Sequence, residues 1–482
     1  FDYSKATSKL KKNNIKKKSL FVDMTKNILD GDYTHHENEF NDFDYERLLL
    51  KKVSTEGPKI LVADLNGDDL DDFLMLGAFG DADKLFIQSK NHKFQMSNQA
   101  VFVNDSNFES TCGAIFDFDN DGDLDILLGS GGNEISRAND DHSLRYYQND
   151  GRGKFSKVED KFKTTVGNFS CILAHDYDQD GDTDLFVGAR IVPGNYGLIP
   201  RSFLLRNDNG KWTDITPETL AGAGMVTGAV WSDTDGDSKD DLVVVGDWMS
   251  IKIYRNTGSG LDQAKVVPGS NGWWTAIEKA DLNNDGHDDF VIGNWGQNSK
   301  FKASDKKPLK MFVNDFDQNG KSEFIVTWFP PLEERAFPFA AKSDLTSQLP
   351  QLKKNSLKYS EYASKTYEEL LSANQRENAL EYNATYLSSA ILWNLGGAGL
   401  KLEALPSEVQ VSPVFGIVID DLNNDKHLDL LLCGNFYGLK PEVGRQDSNH
   451  GVLLKGDGSG KFISVPSIET GLNLKGEIRD TK

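Results

Sequence analysis

Seven short stretches of the chain carry acidic and amide side chains at alternate positions. The first is Asp64, Asn66, Asp68 and Asp72; the second is Asp117, Asp119, Asp121 and Asp125; the third is Asp176, Asp178, Asp180 and Asp184. The fourth is Asp233, Asp235, Asp237 and Asp241, and the fifth is Asp281, Asn283, Asp285 and Asp289. Asp315, Asp317, Asn319 and Glu323 make the sixth, and Asp421, Asn423, Asp425 and Asp429 the seventh. Each set occupies positions 1, 3, 5 and 9 of a loop. Alternate side chains of a tight turn project inward, position 7 can add a backbone carbonyl, and position 9 closes the shell. Calcium takes six to eight hard oxygens at roughly 2.3–2.6 Å with loose geometry, and this spacing supplies them. Without a cation, each loop would crowd three or four like charges. These side chains are therefore the expected ligands of up to seven structural Ca²⁺ ions. Magnesium fits less well, because it demands a stricter octahedron and keeps its water. Zinc is disfavoured by the lack of a Cys/His cluster.

Position 6 needs a sharp turn, and Gly122, Gly181, Gly286 and Gly320 fill it. Asp69, Ser238 and Lys426 stand there in the first, fourth and seventh loops, which predicts weaker binding at those three. An EF-hand would place an acid at position 12. Here that position holds Met75, Leu128, Val187, Val244, Ile292, Val326 and Leu432, so each loop runs into an apolar strand.

The elements that must position these loops repeat with them. Successive motifs begin 53, 59, 57, 48, 34 and 106 residues apart. A spacing near 50–60 suits one four-stranded β-propeller blade per motif. Strand–turn–strand segments such as Arg145–Phe155, Phe203–Trp212 and Val452–Phe462 supply the outer strands. The fold expected is all-β: a propeller of seven blades, or of eight if the two chain ends share a blade. Ser19–Thr25 reads as an outer strand that closes the ring, and Gly476–Asp480 as the start of a further blade. Residues 1–18, with seven lysines, read as a basic linker, and residues 19–482 as the propeller. Residues 332–387 read as an insertion of one or two amphipathic helices, with Leu345, Leu349, Leu352, Leu357, Tyr359, Leu370 and Leu371 among its apolar positions.

Composition narrows the function. The 482 residues carry a formal charge of −21, which excludes a nucleic-acid groove; seven divalent ions would cancel two thirds of it. Cys112, Cys171 and Cys433 are odd in number and far apart, so they form no disulfide framework. No stretch is long and apolar enough for a membrane span. The chain opens Phe1-Asp2-Tyr3 and reads as a mature or partial chain lacking its targeting segment.

The loops resemble the FG-GAP/VCBS repeats of integrin α-chain propellers. The wider pattern is similar to the cartilage-acidic-protein/UnbV-like VCBS proteins of bacterial surfaces. It is carried by His36–Phe43, Leu48–Leu50, Glu56–Pro58, Gly188–Tyr196, Pro200–Ser202, Val245–Trp248 and Val411–Pro413. That resemblance implies an extracellular, outer-membrane-associated protein, often accompanying SusC/SusD-like transporters. The expected function is a non-catalytic binding or scaffold subunit with a protein partner, the outer-membrane transporter subunits foremost. A glycan-binding module is the alternative, with Trp248, Trp273, Trp274, Trp295 and Trp328 as stacking candidates. A polysaccharide-active enzyme is the third reading; His36 with Glu37, and His450 near Asp447, are its acid/base candidates.

Overall fold

The computed structural model describes residues 19–482 except 32, 135–141 and 160; the basic run of residues 1–18 lies outside them. The described residues are all-β, with seven antiparallel sheets among them that each contain a path of four strands. The first sheet is Ile60–Ala63, Asp72–Met75, Lys84–Gln88 and Phe94–Ser97. The second is Ser110–Phe116, Asp125–Ser130, Arg145–Asn149 and Phe155–Val158, and the third Asn168–His175, Asp184–Ile191, Phe203–Asp208 and Lys211–Asp214. Met225–Ser232, Asp241–Met249, Lys252–Tyr254 and Lys265–Val266 form the fourth, with Gly272–Trp273 added beside its second strand. The last sheet is Val414–Asp420, Asp429–Gly434, Val452–Gly456 and Phe462–Val465.

The fifth sheet is assembled differently. Ala276–Ala280 and Asp289–Gly293 pair as expected, but the next strand is Ala390–Asn394, followed by Leu400–Ala404. The intervening chain builds a whole further sheet, in the order Phe337–Pro338, Glu323–Trp328, Leu309–Asn314, Leu380–Ala384. So the sixth acidic motif belongs to a sheet inserted within the fifth. The helical part is also more broken than expected. It runs as Lys342–Gln348, Pro350–Lys354, Tyr359–Ala363, Tyr367–Leu370 and Ala373–Arg376, none longer than two turns. Leu345, Leu349, Leu352, Leu370 and Leu371 pack into the core, whereas Leu357 and Tyr359 face solvent.

Second strands carry unbroken apolar runs because both their faces are covered. Ile126, Leu127 and Leu128 are fully buried, as are Leu185, Phe186 and Val187. Burial of each such side chain contributes roughly 1.5–3 kcal/mol.

The first strands of all six sheets outside the insertion line one cavity of about 160 Å³. A β-bulge near the start of several of these strands turns one residue out of register. The residue freed is Thr111, Ser170 or Thr227 in the second, third and fourth sheets, and its hydroxyl reaches across to the next sheet. Thr111 Oγ1 donates to Phe169 O at 2.6 Å, Ser170 Oγ to Val226 O at 2.7 Å and Thr227 Oγ1 to Trp274 O at 2.9 Å. Thr275 continues the series by donating to Val414 O. In the last sheet the corresponding residue is Phe415, which stacks on the Arg479 guanidinium at 4.6 Å.

Both ends of the described chain lie between the last and first sheets. Ile60 N donates to Asp480 Oδ2 at 3.0 Å, Lys59 Nζ to Arg479 O at 3.1 Å and Ile478 N to Gly434 O at 3.1 Å. Residues 476–480 thus bridge two sheets without forming a strand. At the outer side, Phe21 N donates to Thr470 O, and Leu29 bridges Phe94. Ser19–Thr25 is not the expected outer strand; a single helical turn follows at Thr25–Ile28.

Removing one hydroxyl of the inter-sheet series tests its weight. Thr111→Val leaves Phe169 O without its side-chain donor and is expected to cost about 1–2 kcal/mol. Chemical denaturation measures this, and Thr111→Ser should restore most of the loss. Equal stability of the valine variant would remove the hydroxyl from any role between sheets.

Candidate metal centres

One backbone conformation recurs in all seven loops. The position-1 aspartate accepts from the N–H of positions 5 and 6. Asp117 accepts from Asp121 N at 3.2 Å and Gly122 N at 3.0 Å; Asp315 accepts from Asn319 N at 2.9 Å and Gly320 N at 2.8 Å. Asp64, Asp176, Asp233, Asp281 and Asp421 do the same. The position-5 side chain accepts from the N–H of position 7, as Asp180 does from Asp182 N at 2.9 Å. The turn requires positive φ at position 6, and Asp69, Ser238 and Lys426 adopt 63°, 66° and 72° there without being glycine. Position 4 is left-handed too, at Gly67, Asn120, Gln179, Gly236, Asn284, Gln318 and Asn424. Sequence reasoning missed this second kink, although the run of Gly, Asn and Gln at position 4 signals it.

The position-9 residue opens the second strand and is buried in every loop: Asp72, Asp125, Asp184, Asp241, Asp289, Glu323 and Asp429. In six loops its carboxylate ties the loop to the third strand; Asp429 does so by accepting from Gly456 N at 3.0 Å and from Asn423 Nδ2 at 2.6 Å. Asp125 accepts from Phe118 N at 3.2 Å and Asn149 N at 2.7 Å; Asp184 accepts from Tyr177 N at 3.2 Å and Asn207 N at 2.8 Å. Asp72, Asp241 and Asp289 hold Gln88, Asn256 and Asn394 in the same way. The third-strand asparagines then reach the preceding sheet. Asn149 Nδ2 donates to Leu65 O at 2.8 Å, and Asn256 Nδ2 to Tyr177 O at 2.6 Å. These asparagines sit in the strand–turn–strand segments, but their tie to the loops depends on strand pairing.

Burial pushes the position-9 carboxyls upward, to about 6 for Asp72 and Asp289 and to about 7 for Asp184 and Glu323. Asp125, Asp241 and Asp429 are raised for the same reason. The loops are therefore short of positive charge.

Four loops bring three carboxylates within 4.8 Å of one another: Asp117, Asp119 and Asp125; Asp176, Asp178 and Asp184; Asp233, Asp235 and Asp237; Asp315, Asp317 and Glu323. Acidic clustering alone is common at surfaces, so the unpartnered atoms matter more. Asn66 Oδ1, Asp178 Oδ1 and Asp317 Oδ1 are buried without a hydrogen-bond partner, and all three occupy position 3 of their loops. A hard cation held by positions 1, 3, 5 and 9 would satisfy them, so the donor set fits the expected ion. Two loops carry an internal competitor. Arg255 pairs with Asp235 at 2.5 Å and Asp237 at 2.9 Å, with Lys239 at 3.2 Å from Asp237; Lys455 pairs with Asp425 at 2.6 Å.

The other candidates are placed differently. Trp248, Trp273, Trp274 and Trp295 are buried, and Trp328 is half-buried. Trp248, Trp273 and Trp295 pack edge to face at 4.9 and 5.5 Å, so they present no stacking platform at the surface. The cover is the segment at residues 35–58, whose Leu48, Leu49 and Val53 join the same core. That segment also supplies Lys51, which bonds Asp247 at 2.8 and 2.9 Å. Burial opposes ionisation of Asp247, yet Lys51 and Arg190 beside it hold its carboxyl below the usual range. His35, rather than His36, meets Glu37, at 2.9 Å. His450 Nδ1 lies 2.9 Å from Leu474 O, and Asp447 pairs with Arg445. All three cysteines are free. Among the described residues, no helix is long and apolar enough to cross a membrane.

The chain contains FG-GAP-like repeats: the family model of that description matches residues 129–187 and 233–292. No curated protein matches the chain. The crystal structure of the V. cholerae biofilm matrix protein Bap1 superposes with a TM-score of 0.37 at 10% identity, over 89% of this chain and 82% of that one. A mutant of AofleA from Arthrobotrys oligospora gives 0.32 at 12% identity, over 60% and 74%.

Two predictions follow from the loop chemistry. The position-9 carboxyls titrate higher in the folded chain than in the unfolded one, so the metal-free fold gains stability below the unfolded value near 4 and loses it as pH rises through 6–7. In EGTA the melting temperature should fall by several degrees between pH 5 and 8, and calcium should reverse that fall. An unchanged melt on chelation, with no calcium co-purifying, would exclude the metal assignment. Arg255→Ala should tighten calcium at the fourth loop roughly 2- to 5-fold, the worth of one exposed ion pair, as read by calorimetric titration.

Proposed function

We propose that the chain is a calcium-stabilised β-propeller that serves as a non-catalytic binding scaffold outside the cytosol. The ring has six blades, and the inserted sheet stands off the fifth. Six first strands around one cavity, and the two ends of the described chain bridging the last and first sheets, support the blade count. The observation that carries the calcium role is the set of buried, unpartnered position-3 oxygens beside buried position-9 carboxylates. Calcium is structural in this reading, because the loops tie strands together and open on no reacting group. Loops partly blocked by Arg255 and Lys455 suit the millimolar calcium of extracellular modules.

The insertion that carries the sixth sheet and its short helices is the proposed contact surface. Leu332 is fully exposed, and Leu357 and Tyr359 are 80% and 69% exposed on the same insertion. Large apolar side chains held in solvent suit a protein partner. The resemblance to envelope VCBS proteins makes outer-membrane transporter subunits the first partner to assay. Affinity capture from detergent-solubilised envelopes, with and without calcium, tests this. Transporter subunits recovered in fixed ratio in calcium, and lost on replacing Leu332, Leu357 and Tyr359 by serine, are the expected result. Capture that is indifferent to those three residues would move the contact elsewhere. Recovery of the chain alone would count against the partner.

A further inference from the structure

A groove of about 460 Å³ opens between the fourth and fifth sheets, beside the fourth acidic loop. Its apolar part is Ile253, 4% exposed, and Leu400, half-buried. One wall belongs to the fourth sheet. Ile253 pairs with Lys265 across the third and fourth strands, so their side chains share a face. Asp262 N donates to Arg255 O at 2.9 Å, which sets Asp262 beside Arg255 in the same wall. The other wall is the turn at Gly396–Ala398, continued by Gly399, between the last two strands of the fifth sheet. A side chain started at Gly397 or Gly399 would meet nothing within 4 Å, so this wall is bare backbone facing open space.

Arg255 joins the groove to the metal chemistry. It lines the groove and pairs with Asp235 at 2.5 Å and Asp237 at 2.9 Å, the position-3 and position-5 acids of the loop. The calcium reading needs both carboxylates for the ion. A guanidinium and a divalent cation compete for them, so filling the loop turns Arg255 toward another acceptor. Few acceptors remain once the loop acids are taken. Arg255 and Lys265 only donate, Gln263 does both, and Asp262 is the acid left on that wall. Among the described residues, the side chains of Asp262, Gln263 and Lys265 make no hydrogen bond or ion pair. The complement to this surface is a ligand rich in acceptors, with a carboxylate to engage the planar fork of the guanidinium. Hydroxyls suit Gln263 and Asp262, and the apolar face of a sugar ring suits Ile253 and Leu400. Pockets of roughly 300–1,000 Å³ take ligands of this scale.

We propose that this groove binds a sugar acid, a carboxylate-bearing ligand of saccharide size, which draws Arg255 off Asp235 and Asp237 so that ligand and calcium reinforce each other at the fourth loop. This rests on the calcium reading and adds a ligand class to the binding scaffold. The coupling is reciprocal: the factor by which calcium tightens the ligand is the factor by which the ligand tightens calcium. Its size is that of an exposed ion pair, roughly 2- to 5-fold.

Calorimetric titration of the full chain with D-glucuronate at fixed free calcium tests the site, with D-glucose as the neutral control. Glucuronate should bind roughly 2- to 5-fold tighter in saturating calcium than in EGTA, and glucose should not bind at the same concentrations. Arg255→Ala should weaken glucuronate about tenfold or more, the loss of a charged hydrogen-bond pair, while calcium at that loop binds tighter. Misfolding does not produce those opposite shifts. Lys265→Gln should weaken glucuronate and leave calcium binding unchanged. Glucuronate affinity that is indifferent to Arg255 or to calcium, or matched by glucose, would overturn the proposal. Calcium binding with no glucuronate binding overturns it alone, whereas a chain that binds no calcium in the ligand-free titration overturns the calcium reading and the coupling with it.

Discussion

A buried carboxylate at the ninth position of each loop is the constraint on which the rest depends. It must accept backbone N–H groups to be tolerated there, and its partners lie in its own loop and, in six sheets, at the third strand. That requirement fixes how far the hairpin between second and third strands can slide. The third-strand asparagines extend the tie to the preceding sheet. Hydrogen bonds alone leave the carboxyl raised, so a cation in the loop would complete a demand the fold has already made.

Contacts between sheets follow a second, simpler rule. Bulges in the second, third and fourth sheets each free one hydroxyl to reach the next carbonyl around the cavity, and Thr275 of the fifth sheet, at no bulge, carries the series to the last. The series ends at Phe415, where the chain returns with Arg479 and Asp480 to meet the first sheet. The buried Arg479 guanidinium there stacks on both Phe415 and Phe436. The segment at residues 35–58 covers the aromatic core at one end of the cavity, and its polar side chains meet Asn133, Arg190 and Asp247.

What the sequence makes legible is local. Loop chemistry, the apolar strand after each loop and the outer hairpins are written within stretches of about twenty residues, where spacing alone decides the outcome. Which sheet a strand joins is a non-local matter. The motif at Asp315 looks like its neighbours, and nothing in it reveals that Asp289–Gly293 finds its partner at Ala390–Asn394. The tryptophans leave two readings open in the sequence for a related reason. An aromatic near a loop can stack on a ligand or fill a core, and only the position of the covering segment distinguishes the two.

The insertion also sets an order of events during synthesis. Gly293 ends the fifth sheet's second strand, and Ala390 begins its third. A ribosome adding about 5–20 residues per second needs roughly 5–20 s to cross that interval. Throughout it, the edge of Asp289–Gly293 stands unpaired while four complete sheets wait on one side and none on the other. The inserted sheet, closed by its own strand at Leu380–Ala384, reaches completion before its host does. The nascent chain thus carries an open, strongly apolar strand edge for longer at this sheet than at any other, and this is where a chaperone or a premature intermolecular pairing would find it.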